Sequence, residues 1–159
     1  MINLNDPQSL YYLCAYDNLG NIICPIMFTD NNYANWSRHV TNAVKSKNKL
    51  MFIDGSLTKP ERNSLEGHVW ERCNSMVIAW LRNVIGKTLH ASVTYAETVK
   101  ELWFDLKDQY SQGIEIRIHQ LKQDITLTSQ ESLSITEYFT RLKTLWDELR
   151  AYLVLPNYN

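Results

Sequence analysis

The chain has 159 residues, of which 45% are hydrophobic, and its 16 basic and 17 acidic residues nearly cancel. That hydrophobic content can bury one sizeable core or two small ones. No segment has the excess of lysine and arginine that tight phosphate binding requires, which argues against a dedicated nucleic-acid-binding protein. Apolar stretches are far shorter than the ~20 residues that span a bilayer, and the three cysteines lack paired spacing. We therefore expect a cytoplasmic protein with no membrane partner.

The first 29 residues differ in pattern from the rest of the chain. Aromatic and β-branched residues at 11–16 and 22–28 flank a turn-prone segment at 17–21. This pattern fits either a short β-hairpin or an extended arm that lies over the first helices. Because two strands alone are marginal in water, the segment needs a surface on which to pack.

From residue 30 onward, apolar residues recur with the period of an α-helix. The first predicted helix follows cap residues at 30–32 and carries Trp36. The longest is predicted from the capping-box spacing of Thr58 and Glu61 to about residue 85. Polar residues at 47–49 and the turn at 54–56 separate these two helices.

Three further helices are predicted in the second half. One follows the capping-box spacing of Thr94 and Glu97 and stops at Gly113, and the next spans about 114–125. The last follows a capping box formed by Ser134 and Glu137. The prediction is an all-α fold of five to six helices with a short extended N-terminal arm or hairpin. Its segments are an arm at 1–29, a helical domain at 30–112 and a further helical segment at 113–159.

The five tryptophans divide into two groups by helical phase. Trp36, Trp80, Trp103 and Trp146 lie on apolar stripes and are predicted core anchors. Trp70 is out of phase with the stripe of its helix, so we predict an exposed aromatic side chain at a contact surface.

The last helix has the most regular apolar pattern in the chain. Together with Trp70, its stripe forms the predicted assembly interface, which comprises Ile135, Tyr138, Leu142, Leu145, Leu149 and Tyr152. The seven-residue rhythm suits helix pairing between subunits, and a seam inside one molecule explains it equally well.

No pattern in the sequence indicates catalysis, a cofactor or a metal. The four histidines are isolated from one another, and the cysteines do not form the short cluster of a zinc knuckle. We therefore expect neither an enzyme nor a bound cofactor or metal ion.

A local basic cluster marks the first predicted helix. Arg38, Lys45, Lys47 and Lys49 are the candidates for a weak RNA contact. The other interpretation of this cluster is a solvated helix face.

The order of short motifs resembles the Gag polypeptide of copia-type LTR retrotransposons, especially those of plants. The blocks that carry the resemblance are YYL at 11–13, NYANWS at 32–37, KNKL at 47–50, FIDGS at 52–56, WERCNSMV at 70–77, ELW at 101–103, QLK at 120–122, EYF at 137–139 and LWDEL at 145–149. They cover roughly residues 10–152.

This resemblance implies a structural Gag protein that self-associates into virus-like particles enclosing element RNA. It also implies a capsid-like helical fold, with 30–112 as an N-terminal lobe and 113–159 as the start of a C-terminal lobe. The further C-terminal helices and the zinc knuckle of the family pattern are not in the sequence, so we expect a truncated second lobe and at most weak or indirect RNA contact. The expected partners are other copies and full-length Gag. The alternative is a domesticated or truncated Gag that acts as a host protein-interaction module or assembly inhibitor.

Overall fold

The computed structural model describes residues 3–153, except for the side chain of Gln112. The helices are α1 (Tyr33–Ser46), α2 (Leu50–Asp54), α3 (Leu65–Asn83), a 3₁₀ turn (Lys87–Leu89), α4 (His90–Val93), α5 (Val99–Leu127) and α6 (Ile135–Leu153). Within 3–153 the chain forms no β-strand, which confirms the predicted all-α fold class.

The chain divides into two compact units, Met1–Asp108 and Gln109–Asn159, which we call unit 1 and unit 2. The division falls inside α5, whereas the sequence pattern places a lobe boundary at 112/113. The predicted segments 1–29 and 113–159 extend at their outer ends beyond the described residues.

Aromatic stacking forms the centre of the unit 1 core. Trp36 and Trp80 are fully buried, and the ring of Trp36 stacks on the half-buried Trp103 with centroids 5.5 Å apart. The ring centroid of Phe28 lies 4.7 Å from that of Trp36, whose indole N–H donates to the Val84 carbonyl oxygen at 3.0 Å. These rings join the arm, α1, the end of α3 and the start of α5 in one core.

The capping box predicted for α6 is present. The Ser134 N–H and hydroxyl donate to the Glu137 carboxylate at 2.9 and 2.7 Å, and the Glu137 N–H donates to the Ser134 hydroxyl oxygen at 3.2 Å. This reciprocal pair satisfies main-chain donors that the first turn of a helix leaves free.

Two other helices begin later than their predicted capping boxes. The reciprocal pair before α5 is Thr98 with Glu101, four residues beyond the predicted one. Helix α3 begins after Ser64, whose hydroxyl oxygen accepts from the Gly67 N–H at 2.9 Å. Because Thr, Ser and Glu recur near these sites, local spacing alone does not decide which pair caps the helix.

The predicted helix stop at Gly113 is wrong, because α5 runs without interruption from Val99 to Leu127. A Cβ atom added at Gly113 would meet no heavy atom within 4 Å among the described residues. A glycine inside a helix costs only about 0.5–1 kcal/mol relative to alanine, and the helical pattern on both sides outweighs it.

The N-terminal arm, described from residue 3 to 29, consists of turns and irregular backbone. An isolated parallel bridge joins Phe28 to Ile85 at the end of this segment. Of the two interpretations of the sequence, the structure therefore has an arm over the helices, and no hairpin forms within the described part.

Candidate functional site: the outer face of the last helix

In unit 2, one face of α6 packs against α5, and we call it the inner face. Leu121 on α5 and Leu149 on α6 are buried. The Arg117 guanidinium donates two hydrogen bonds to the Glu148 carboxylate, at 2.8 and 3.0 Å, which joins the same two helices. This pairing raises the pKa of Arg117. Tyr138, Leu145 and Tyr152 are half-buried.

A second row of apolar side chains on α6 is exposed, and we call it the outer face. Ile135, Phe139, Trp146 and Leu153 are 76%, 64%, 49% and 61% exposed. With the half-buried Leu142, they follow the four-three spacing of a heptad seam, one of the patterns by which helices pair. The row therefore has the geometry of a helix-pairing surface.

Charged side chains flank the outer face. The Lys143 ammonium and the Asp147 carboxylate form an ion pair at 2.6 Å, one helical turn apart. Hydrogen bonding to Lys143 lowers the pKa of Asp147. These two residues and Arg150 line a shallow groove with Phe139 and Trp146. Charges beside an apolar seam influence which partner pairs and in which orientation.

The predicted interface on α6 is divided between the two faces. Ile135 lies on the outer face, Leu142 lies at its edge, and the remaining four residues lie on or beside the inner face: Tyr138, Leu145, Leu149 and Tyr152. Phe139 and Leu153 were missed, although the four-three spacing through Leu142 was a signal for them.

The prediction that Trp146 is a core anchor is wrong, since half of its side chain is exposed. It lies on an apolar row, as predicted, but that row is the outer face of α6. The period of a helix places a side chain on a face without saying what covers it.

The prediction that Trp70 is an exposed contact residue is also wrong. Trp70 is 5% exposed, its ring centroid lies 5.9 Å from that of Phe52, and the Lys59 ammonium lies 5.4 Å from its centroid. Helix α2 therefore covers a second face of α3, which a single-stripe interpretation does not anticipate.

The predicted basic cluster does not form one surface. Lys49 is 1% exposed, which makes its assignment as an RNA-contact residue wrong. The Lys47 ammonium pairs with the Asp17 carboxylate at 2.5 Å, while Arg38 and Lys45 are exposed. Within this cluster, Arg38 and Lys45 are the two exposed cations that the described structure offers to an anionic partner, too few for tight phosphate binding.

Among residues 3–153, no three His, Cys, Asp or Glu side chains converge where they could hold a metal ion. No helix in this same range combines the length and the apolar character needed to cross a bilayer.

Residues 15–61, which include the end of the arm, α1 and α2, match the family model described as Gag-polypeptide of LTR copia-type. The resemblance to copia-type Gag is confirmed. Over 141 residues the chain is also 23% identical to the retrovirus-related Pol polyprotein from transposon RE1 of Arabidopsis thaliana. This similarity covers 83% of the chain and 9% of that polyprotein, so the chain spans under a tenth of its relative. No solved structure matches the chain.

Proposed function

We propose that this chain is a structural, non-catalytic Gag capsid protein that self-associates in the cytoplasm through the outer face of α6, as a step toward particles. The observation that carries the proposal is the row of four exposed apolar side chains, Ile135, Phe139, Trp146 and Leu153. The copia-type Gag match supplies the structural class of protein. Self-association, particle formation and location go beyond both observations and are the content of the proposal.

The area of the outer face supports a specific but modest contact. From the exposed fractions, the four side chains leave several hundred Å² of apolar surface in water, on the order of 500 Å² per copy. Two copies that cover this row in a helix pair would reach the ~1,000 Å² at which specific interfaces begin. We therefore expect dimers in the micromolar range of protein concentration.

The test is light scattering coupled to size exclusion over a concentration series, for the natural chain and for Phe139→Ala. Phe139 exposes roughly 100 Å² of apolar ring, so each copy would lose about 2.5 kcal/mol of association free energy. The dimer dissociation constant should rise at least about 100-fold, because both copies carry the change.

Thr140→Ala is the matched control, since Thr140 is also exposed and is the next residue on α6. It should leave the dissociation constant unchanged. A natural chain that stays monomeric at every concentration, or equal effects of the two variants, would contradict the proposal. Electron microscopy of the heaviest fraction tests for particles.

The same outer face could serve the alternative function, a host module that blocks assembly of intact Gag. Mixing the chain with full-length Gag separates the two functions, because a capsid subunit enters the particles and an inhibitor lowers their yield. For RNA, we propose only a weak contact at Arg38 and Lys45, whose affinity should fall as salt rises.

A further inference from the structure

The N-terminal arm lies in a groove of unit 1 that contacts its main chain. Five side chains donate hydrogen bonds to carbonyl oxygens of residues 8–21. We call this set the arm groove, and it consists of Asn48, Lys49, Cys73, Trp80 and Asn83. The groove therefore holds the successive turns of the arm by their backbone carbonyl oxygens.

At one end of the arm groove, the Lys49 ammonium donates to the carbonyl oxygens of Leu10 and Tyr12 at 2.8 and 2.7 Å. The Cys73 thiol donates to the Tyr11 carbonyl oxygen, between them, at 3.4 Å. Lys49 is 1% exposed and Cys73 is fully buried. A buried ammonium needs acceptors, so this end of the groove is built for an occupant.

At the other end, the Trp80 indole donates to the Asn18 carbonyl oxygen at 2.8 Å. The Asn83 side-chain amide donates to the carbonyl oxygens of Leu19 and Asn21 at 2.7 and 3.1 Å. Both donors lie on α3, so one helix presents Cys73, Trp80 and Asn83 along the length of the arm.

Two side chains of the arm add sequence specificity to this backbone recognition. The Tyr11 hydroxyl donates to the Glu66 carboxylate at 3.0 Å, and the Asp17 carboxylate pairs with the Lys47 ammonium at 2.5 Å. A fitting occupant must carry a tyrosine and, six residues later, an aspartate in a segment that forms the same turns. A second copy of the chain carries that segment.

Residues 22–27 link the arm at 8–21 to the helices of unit 1. Phe28 is anchored, because its N–H donates to the Val84 carbonyl oxygen at 2.8 Å and its carbonyl oxygen accepts from the Gly86 N–H at 2.9 Å. Between residue 21 and this anchor, Ile22 and Met27 are 70% and 48% exposed, Cys24 is buried, and the Met27 carbonyl oxygen accepts from the Asn32 side-chain amide at 2.9 Å. A short, partly exposed link of this kind is where exchange of elements between copies takes place.

We propose that the arm groove binds residues 8–21 of a second copy, so that two chains exchange arms and each occupies the other's groove. Every hydrogen bond of the groove is kept in the exchanged dimer. The arm of the same chain competes for the groove. Because its link is short, its effective concentration at the groove is in the millimolar range. Exchange therefore becomes substantial when the local protein concentration approaches ~1 mM. This exchange of arms does not depend on the outer face of α6.

A zero-length carbodiimide cross-link tests this in the full-length natural chain. The reagent converts the Asp17–Lys47 ion pair into an amide with loss of water. Equal amounts of unlabelled and ¹⁵N-labelled chain are refolded together, concentrated to ~1 mM, cross-linked and digested for mass spectrometry. The expected result is an Asp17–Lys47 product that joins a light and a heavy peptide, approaching about half of that product at full exchange. The mixed product should disappear when the mixture is diluted well below ~1 mM before cross-linking, and Asp17→Asn identifies its mass signal by removing it.

The Lys59–Glu71 pair, 3.7 Å apart within unit 1, is the internal reference. Its cross-link should join peptides of the same label only. Mixed labels at Asp17–Lys47 with unmixed labels at Lys59–Glu71 support arm exchange. Unmixed labels at both pairs overturn the proposal, and so do mixed labels at both, which would reflect unspecific association.

Discussion

Replacing Lys49 with methionine tests how strongly the helices of unit 1 hold the arm. The Lys49 ammonium makes two short hydrogen bonds to arm carbonyl oxygens and a longer one, at 3.4 Å, to the Lys47 carbonyl oxygen. Burial lowers the pKa of Lys49, because the charged form loses its hydration. Methionine keeps much of the volume but removes the donor.

Two opposing contributions set the magnitude. A hydrogen bond from a charged donor contributes about 1.5–3 kcal/mol, so losing the two short ones removes roughly 3–6 kcal/mol. Removing the buried charge returns part of its desolvation cost, which is several kcal/mol. Because the carbonyl acceptors remain and need water, we expect a net loss of about 2–3 kcal/mol of unfolding free energy.

Urea denaturation of Lys49→Met, with Lys45→Met as control, measures this loss. Lys45 is exposed on the last turn of α1, and its replacement should change stability by less than about 0.5 kcal/mol. A second readout is thiol modification followed by peptide mass analysis, since arm release should expose the buried Cys73. Unchanged stability with Cys73 still protected would refute the claim that the ammonium holds the arm.

Three further predictions concern stability. Trp36→Ala should lower the unfolding free energy by about 3–5 kcal/mol in chemical denaturation, and the half-exposed Trp146→Ala by clearly less; equal losses would contradict the burial argument. Gly113→Ala should raise the melting temperature through a gain of about 0.5–1 kcal/mol, because its Cβ meets open space; a lower melting temperature would mean that the site is constrained. Burial and the bond to Glu66 raise the pKa of Tyr11 from 10.0 to about 12, above its unfolded value, so its contribution is full below pH 10 and is lost between about pH 10 and 12. Melting curves of Tyr11→Phe should lose this alkaline dependence, and an unchanged dependence would place its origin elsewhere.

Local patterns in the sequence were sufficient for the fold class and for much of the helix content. Apolar period and capping chemistry act within a few residues, which is why the Ser134–Glu137 start of α6 was found. The same locality explains the misplaced start of α5, since Thr94 and Thr98 each precede a glutamate by three residues. The resemblance to copia-type Gag was also readable from ordered motifs alone.

The tertiary structure decided which helix faces pack against other parts of the chain. Trp70 and Trp146 exchanged roles because helical period determines which side chains share a face, while burial depends on neighbours distant in sequence. For Trp70 that neighbour is Phe52 on α2. Lys49 is the sharpest case: a lysine is expected in water, and only carbonyl oxygens brought from 37 and 39 residues away make its burial tolerable. The sequence determined the fold class and most of the helices, and the long-range packing of arm, α2 and α3 determined which side chains remain available for partners.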